Sequence, residues 1–473
     1  MKQQAGPDTV SSAYAHMAPL WDKVSSVLGG TESMRGAGTL YLPQHERESN
    51  KAYDERLGKT VLINTTEQTL NGWVGRPFSS PIQVNENVPD SVRGLLEDVD
   101  LQGNDIDIFA RNWFRDGLAK GFSHVLVDYP MRSETDGRER TLADDRAENL
   151  RPYLVHVHPE NVISAHSEMM NGVEVLTHVR IMETVVGRDG FEESFTERIR
   201  VYEPGAVEVY EKQQRTRGGK AEWVLVESYA YDMPYIPLVT FYAQRSGLML
   251  AKPPLLDLVN MNISHWQSQS DQTAVLTVAR FPMLASSGMM DEDEVVVGPN
   301  QWLATRDPAG RVYYVEHSGK AIASGRADLL DLEEKMAKYG AEFLTKKPGR
   351  QTATARALDS AEAVSPLQDM VHRFIDSMNL ALAYMAHWQG EESGGTIDLD
   401  TDFGLSGSDA GALGALHEAR RNRDISREAY LRELQRYNVL DRSFDLAEDG
   451  ELLRDEDAFS GMSSVDLTDG EDE

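Results

Sequence analysis

The sequence predicts an α+β fold divided between two or more lobes, and three observations predict it. At 473 residues the chain is longer than one hydrophobic core comfortably serves. Apolar residues recur at three- and four-residue spacing in several separated stretches, the pattern of amphipathic helices. Between Arg151 and Ala243 they instead alternate or run in short apolar bursts, the pattern of strands.

The first helix is predicted over Ser11 to Leu28, where Tyr14, Met17, Leu20, Trp21, Val24, Val27 and Leu28 form a stripe that Pro19 interrupts and Gly29-Gly30 ends. A second helical run extends from Arg47 to about Val74 on Tyr53, Leu57, Val61 and Leu70, and Arg76-Pro77 closes it. From Asn104 to Lys120 the stripe is cleaner (Ile106, Phe109, Ala110, Trp113, Phe114, Gly117, Leu118), with Gly121 placed as a C-cap. Ser123 to Asp128 follows as a buried strand, so helix and strand suggest an α/β layer. Arg132 to Asn149 is almost free of apolar residues and predicts an exposed loop. The strands of residues 151–243 predict a meander or mixed sheet, with Asn171-Gly172 signalling a type I′ hairpin.

Pro253-Pro254 opens a long helix whose apolar line is thin: Leu255, Val259, Ile263, Trp266, then Ala274 and Thr277. So narrow a line over "NMNISHWQSQSDQT" is expected to leave the helix packed against neighbouring elements or copies of itself rather than in a globular core. Strands return between Phe281 and Ile322 ("EVVVG", "RVYYVEH"), and a helix from Arg326 to Leu344 carries Leu329, Leu332, Met336 and Tyr339 on one face. The next stretch, Phe343 to Leu358, holds Lys346, Lys347, Arg350 and Arg356 and no acid. A helix of Ala357 to Trp388 follows, with Leu367, Met370, Val371, Phe374, Met378, Leu382 and Met385 as its seam and Pro366 expected to bend or split it. Thr396 to Asp400 reads as a short strand and Asp409 to about Leu440 as helical, while the acidic composition beyond Glu448 predicts disorder.

Composition narrows the function. Apolar residues make up 40% and charged residues 26%, ordinary globular usage. The absence of cysteine removes disulfides, thiolate nucleophiles and cysteine-bound zinc. The sequence shows neither an apolar run long enough for a bilayer nor the apolar core of a signal peptide near Met1, so a soluble, unexported protein is expected. A net charge of −30 opposes general affinity for nucleic acid, which rests on Lys and Arg neutralising phosphates; any DNA contact must be local or weak.

Chemical motifs are sparse. The nearest approach to a P-loop, Thr216 to Trp223, has Ala221 where the Mg²⁺-binding hydroxyl belongs. No GxSxG, HExxH or EF-hand pattern occurs. His156 and His158 alternate on one strand and so share a face, as two metal ligands would. No third ligand is implied nearby, and a half-buried strand histidine is the commoner case. Asp291 to Glu294 is a contiguous acidic run without the spacing of a cation loop. Neither a metal, a cofactor nor a catalytic site is expected.

The order of elements resembles that of the portal proteins of tailed bacteriophages, and the wording resembles one portal-like family. The stretches that carry the likeness are Ala13 to Ser49 ("AYAHMAPLWDKVSSVLGGTESMRGAGTLYLPQHERES"), Leu95 to Pro130 ("LLEDVDLQGNDIDIFARNWFRDGLAKGFSHVLVDYP"), Arg151 to Ile163 ("RPYLVHVHPENVI") and Lys252 to Gln272 ("KPPLLDLVNMNISHWQSQSDQ"); it covers roughly residues 11–445. The resemblance implies a portal fold. Residues 1–251 and 357–403 would be its mixed α/β wing, 252–279 and 324–344 two stem helices, 280–323 a small β-rich clip, 345–356 a tunnel loop, 404–447 a helical crown and 448–473 an acidic tail. It implies a homo-oligomeric ring, typically of twelve copies, at one capsid vertex of the virion, assembled in the host cytoplasm. Double-stranded DNA would pass through it during packaging and ejection, and its partners would be the terminase large subunit, head-completion or adaptor proteins, and capsid and scaffolding proteins, without catalysis or a membrane. In that frame Lys346, Lys347, Arg350 and Arg356 would face DNA, and Trp302, Tyr313 and Tyr314 would meet partners of the clip. Two other readings stand beside it: a head-to-tail adaptor, and a metal-dependent phage hydrolase using His156 and His158.

Overall fold

The computed structural model describes residues 6–130, 148–214, 221–280, 283–287, 309, 311–315, 319–342, 365–401, 410–436, 439–440, 444, 449–450 and 452–453. It divides into two compact units, Met1–Leu399 and Asp400–Glu473. The loop expected over Arg132 to Asn149, most of the P-loop-like stretch, the Asp291 to Glu294 run and the basic segment 345–356 lie wholly or almost wholly outside the described residues. So does the last part of the chain, from residue 454.

The larger unit mixes helices with antiparallel sheets. Its first helix, α1 (Ser12–Leu28), runs straight through Pro19, because the stripe Met17, Trp21, Val24 and Val27 is buried along its whole length. Gly29 ends it and at once caps α2 (Gly30–Ala37). The run expected over Arg47 to Val74 is two helices, α3 (Asn50–Lys59) and α4 (Thr65–Gly75). Thr60 is extended, and the Asn64 side chain accepts from the Glu67 amide to start α4 afresh. Val61, expected in the stripe, is accordingly exposed. The chain continues through β1 (Gln83–Val84) and the single turn α5 (Asp90–Arg93) to α6 (Ile106–Lys120), which Gly121 ends in the left-handed conformation.

Two main sheets follow. Strands β2 (Phe122–Asp128), β3 (Tyr153–Val157) and β9 (Leu238–Tyr242) form a three-stranded sheet in the order β3-β2-β9. Between them, β4 (Val162–Met170), β5 (Val173–Asp189), β6 (Glu192–Glu203), β7 (Ala206–Gln213) and β8 (Glu222–Ala230) make a five-stranded meander in sequence order. Asn171 and Gly172 both take positive φ (53° and 83°) at the β4–β5 turn, as the predicted type I′ geometry requires. The strand β10 (Arg245–Gly247) pairs with β11 (Leu250–Ala251). A core of Met17, Trp21, Phe122, Leu126, Val179, Tyr202, Val207 and Leu238 joins α1 to both sheets.

Then come α7 (Leu256–Ala279), a ribbon of β12 (Met283–Ser287) and β13 (Arg311–Val315), α8 (Lys320–Glu342) and α9 (Pro366–Gln389). Residues 357–364 of the expected helix lie outside the described residues, and α9 starts at Pro366 itself. Ser365 is its N-cap, in a reciprocal pairing with Gln368, and Pro366 occupies the first turn, where a missing N–H costs nothing. All seven seam residues of α9 are buried, and Phe374 packs among Phe78, Trp113, Phe114 and Phe241. β14 (Ile397–Asp398) pairs with β1. The smaller unit holds α10 (Ala410–Arg421) and α11 (Arg427–Arg436).

The long polar helix α7 corrects the sequence reading. One face of its first half lies inside the chain's own core, with Leu258, Val259, Asn262, His265, Trp266 and Ser270 buried, while Asp257, Asn260 and Ser264 are exposed. Polar residues can go there because the N-terminal helices meet them. Asn262 Oδ1 accepts from the Thr66 amide (3.1 Å) and hydroxyl (3.0 Å), while its Nδ2 donates to the Ile63 carbonyl (2.8 Å). Ser270 Oγ accepts from Arg56 (3.2 Å) and lies 3.0 Å from Thr60 Oγ1. Arg56 is itself buried and clasps Glu48 through two 2.7 Å bonds, which hold that carboxyl down at about 2.

Replacing Asn262 by Leu keeps the volume but strands the Thr66 and Ile63 backbone groups. We expect a loss of about 2–4 kcal/mol, read as a lowered midpoint in urea unfolding.

Candidate functional site

Two places could carry function: the helix–ribbon–helix segment, and a polar cluster between α6 and the three-stranded sheet.

α7 and α8 lie antiparallel, fastened at three levels. Tyr339 Oη donates to the Pro254 carbonyl (3.1 Å), His265 Nε2 lies 3.1 Å from Glu333 Oε1, and Gln272 Nε2 donates to the Ile322 carbonyl (2.9 Å). Leu329 and Met336 face α7 in the buried seam. Beyond Ser270 no described residue of α7 is fully buried, and before Leu329 none of α8 is. This end of the pair leaves Val275 37% exposed. α8 begins at Lys320, so the last residues expected in the β insert, 320–323, are helical.

Of the residues singled out from sequence here, Lys346, Lys347, Arg350, Arg356 and Trp302 lie outside the described residues. Tyr313 and Tyr314 lie on β13, opposite Ala285 and Leu284 of β12, and Tyr313 is 52% exposed.

The polar cluster forms because β2 and β3 pair Val125 with His156, which puts Ser123, His156 and His158 on one face of the sheet. α6 lies on that face unusually closely. A Cβ on Gly117 would sit 2.4 Å from the Phe241 ring, so only glycine permits the approach. The closeness brings Asp116 and Lys120 to the histidines. Asp116 Oδ2 accepts from Ser123 Oγ (2.8 Å) and lies 3.0 Å from His158 Nδ1 and 3.4 Å from His156 Nε2. Ser123 Oγ is 2.9 Å from His156 Nε2. Lys120 Nζ lies 3.0 Å from Asp116 Oδ1 and 2.7 Å from Glu160 Oε2. The Asp116 side chain is 11% exposed, that of His158 53%.

Burial opposes the Asp116 charge, but hydrogen bonds from His156 and His158 and the Lys120 ammonium outweigh it and hold the carboxyl well below its usual range. The hydrogen bond to Asp116 raises His158, and Asp116 and Glu160 together raise Lys120 against its burial. On the other face of the sheet, His124 is buried beside Thr240 and pushed down to about 3 by desolvation.

The sequence pointed to His156 and His158 but not to Asp116, the carboxylate partner that it had shown no sign of. The one local signal was an acid set inside the apolar stripe Trp113, Phe114, Gly117 and Leu118.

A family model described as a domain of unknown function, DUF4055, matches residues 254–389, the stretch from the start of α7 to the end of α9. No curated protein matches the chain. Among solved structures, the chain is similar to one from the neck of an empty GTA particle computed with C6 symmetry, at 11% identity over 82% of this chain and 89% of the other, with a TM-score of 0.39. It is also similar to one from the virion of a native gene transfer agent particle (12%, 78% and 88%, TM-score 0.38) and one from the neck of the native GTA particle computed with C12 symmetry (11%, 77% and 88%, TM-score 0.38). These scores lie below the overlap from which a common fold follows.

His158 gains a proton more readily folded than unfolded, so its contribution to stability is complete below its unfolded pKa and fades as pH rises through the folded one. An NMR titration of its ring protons should therefore show an elevated pKa, and Asp116→Asn should return it towards about 6.5.

Proposed function

We propose that the chain is the subunit of a ring-shaped portal at one capsid vertex of a phage-like particle. Double-stranded DNA would enter and leave through the ring. The observation that supports this best is the state of α7 and α8. A pair of helices 24 and 23 residues long is anchored in a core at one end, while at the other no described side chain is fully buried. Residues 271–279 of α7 extend about 14 Å past Ser270, the last of its described residues that is fully buried. A helix end with a polar surface and a few apolar side chains is best accommodated by adjacent copies around a water-filled channel. Such head-to-tail contacts close when their rotation divides a full turn.

The charge fits the same reading. A channel that lets DNA slide cannot bind it tightly, because each neutralised phosphate adds affinity. A chain of net charge −30 with one basic belt, Lys346, Lys347, Arg350 and Arg356, would position the duplex without holding it. The ribbon β12–β13 would meet the terminase large subunit during filling and head-completion proteins afterwards, with the exposed Tyr313 as one contact. The lobe built on the two main sheets would face capsid and scaffolding proteins. In this role the protein performs no catalysis. A head-to-tail adaptor would have less need of the long helix–ribbon–helix unit, and is the reading to which a short, non-channel assembly would point.

Electron microscopy of the purified chain under assembly conditions is expected to show rings with a central opening wide enough for duplex DNA; a compact monomer under all such conditions would overturn the proposal. Changing Lys346, Lys347 and Arg350 together to Ala is expected to leave rings intact while altering DNA packaging. Loss of rings would instead place the basic segment at a subunit contact.

A further inference from the structure

We propose that Asp116, His156 and His158 form a binding site for one divalent transition metal ion, with zinc the best fit. The site is independent of the ring assembly. Its three ligand atoms, one from each residue, all lie within 4.8 Å of one another. The separations from Asp116 Oδ2, 3.0 Å to His158 Nδ1 and 3.4 Å to His156 Nε2, bracket the roughly 3.3 Å between ligands of a tetrahedral ion bound at about 2.0–2.1 Å. Two imidazoles and a carboxylate are the donor set of zinc and its neighbours, not of Mg²⁺ or Ca²⁺, which take oxygen.

The surroundings support a metal as well as a hydrogen-bond network. Lys120 engages the other carboxylate oxygen, Oδ1, and so orients Oδ2 towards the histidines, as outer-shell partners orient ligating carboxylates. Lys120 is in turn held by Glu160, so its charge is balanced when the carboxylate is shared with a cation. Phe109 packs edge-on at 6.4 Å against the His156 ring and fixes its plane. Ser123 Oγ, close to both Asp116 Oδ2 and His156 Nε2, stands beside the remaining coordination position, which the hydroxyl or a water would fill. The half-exposed His158 gives the ion a way in. Binding would replace the contacts that His156 Nε2 and His158 Nδ1 now make with the carboxylate and leave α6 clipped to β3. The ion would serve there as a staple between a helix and a strand about 40 residues apart in sequence.

The test is metal content and thermal stability of the full chain. After dialysis against micromolar Zn²⁺ and removal of excess, elemental analysis should find one zinc per chain, and zinc should raise the melting temperature. Co²⁺ in its place should give the visible absorption of a tetrahedral site. His158→Ala, at an exposed ring, should fold as judged by circular dichroism yet lose zinc binding by more than the ~10–100-fold that loss of an outer-shell partner costs. His166→Ala, at an exposed histidine of β4, should keep the full zinc content. Substoichiometric zinc in the parent chain, or the same zinc content and the same melting shift in His158→Ala, would overturn the proposal.

Discussion

Burying a polar side chain without a partner costs more than most single apolar contacts return, so a helix as polar as α7 enters a core where partners meet most of its buried groups; His265 Nδ1 and Trp266 Nε1 are its buried atoms with no partner among the described residues. That constraint organises the larger unit. Asn262, Ser270 and His265 point at three different elements: the start of α4, the end of α3 and the face of α8. The N-terminal helices are thus fixed against α7 by specific hydrogen bonds as well as by apolar packing. The buried Arg56–Glu48 pair is part of the same arrangement, since it supplies one of the two partners of Ser270. Past Ser270, Asp271 still pairs with Arg56 and His45 and Gln272 donates to the Ile322 carbonyl, but no described side chain of α7 there is fully buried.

A second close fit governs the sheet side. Gly117 lets α6 descend onto Phe241, and the aromatic group of Trp113, Phe114, Phe241 and Phe374 fills the space between α6, β9 and α9. The same descent carries Asp116 and Lys120, on either side of Gly117, down to the level of the strand histidines. The polar cluster is therefore a by-product of how near the helix lies, and any side chain at position 117 would lift both the packing and the charges away.

Much of the secondary structure was legible because it follows local rules. The stripe of α6, the seam of α9 and the Asn171-Gly172 turn each depend on spacing or on φ preference, and each appears where the sequence put it. What local rules could not supply was context. Pro19 reads as an interruption, but tertiary burial carries α1 through it, whereas Pro366, expected to bend or split its helix, stands at a capped helix start. The thin apolar line of α7 was read correctly as too narrow for apolar burial alone. The expectation that so thin a line cannot bury the helix in a globular core fails for one face of its first half, because partners for Asn262 and Ser270 lie some 200 residues away in sequence. Asp116 has no histidine partner nearby in sequence: His156 and His158 reach it only through the β2–β3 register and the packing of α6 on that sheet.

α7 is held in its own chain's core as far as Ser270, and no described side chain beyond it is fully buried. Hydrogen exchange of the backbone amides tests this directly. In the isolated chain, amides from Leu258 to Ser270 should be strongly protected while those from Asp271 to Ala279 exchange fast, and the second group should become protected under assembly conditions. If the first segment exchanges as freely as the second, the polar anchor does not hold the helix and the account is contradicted.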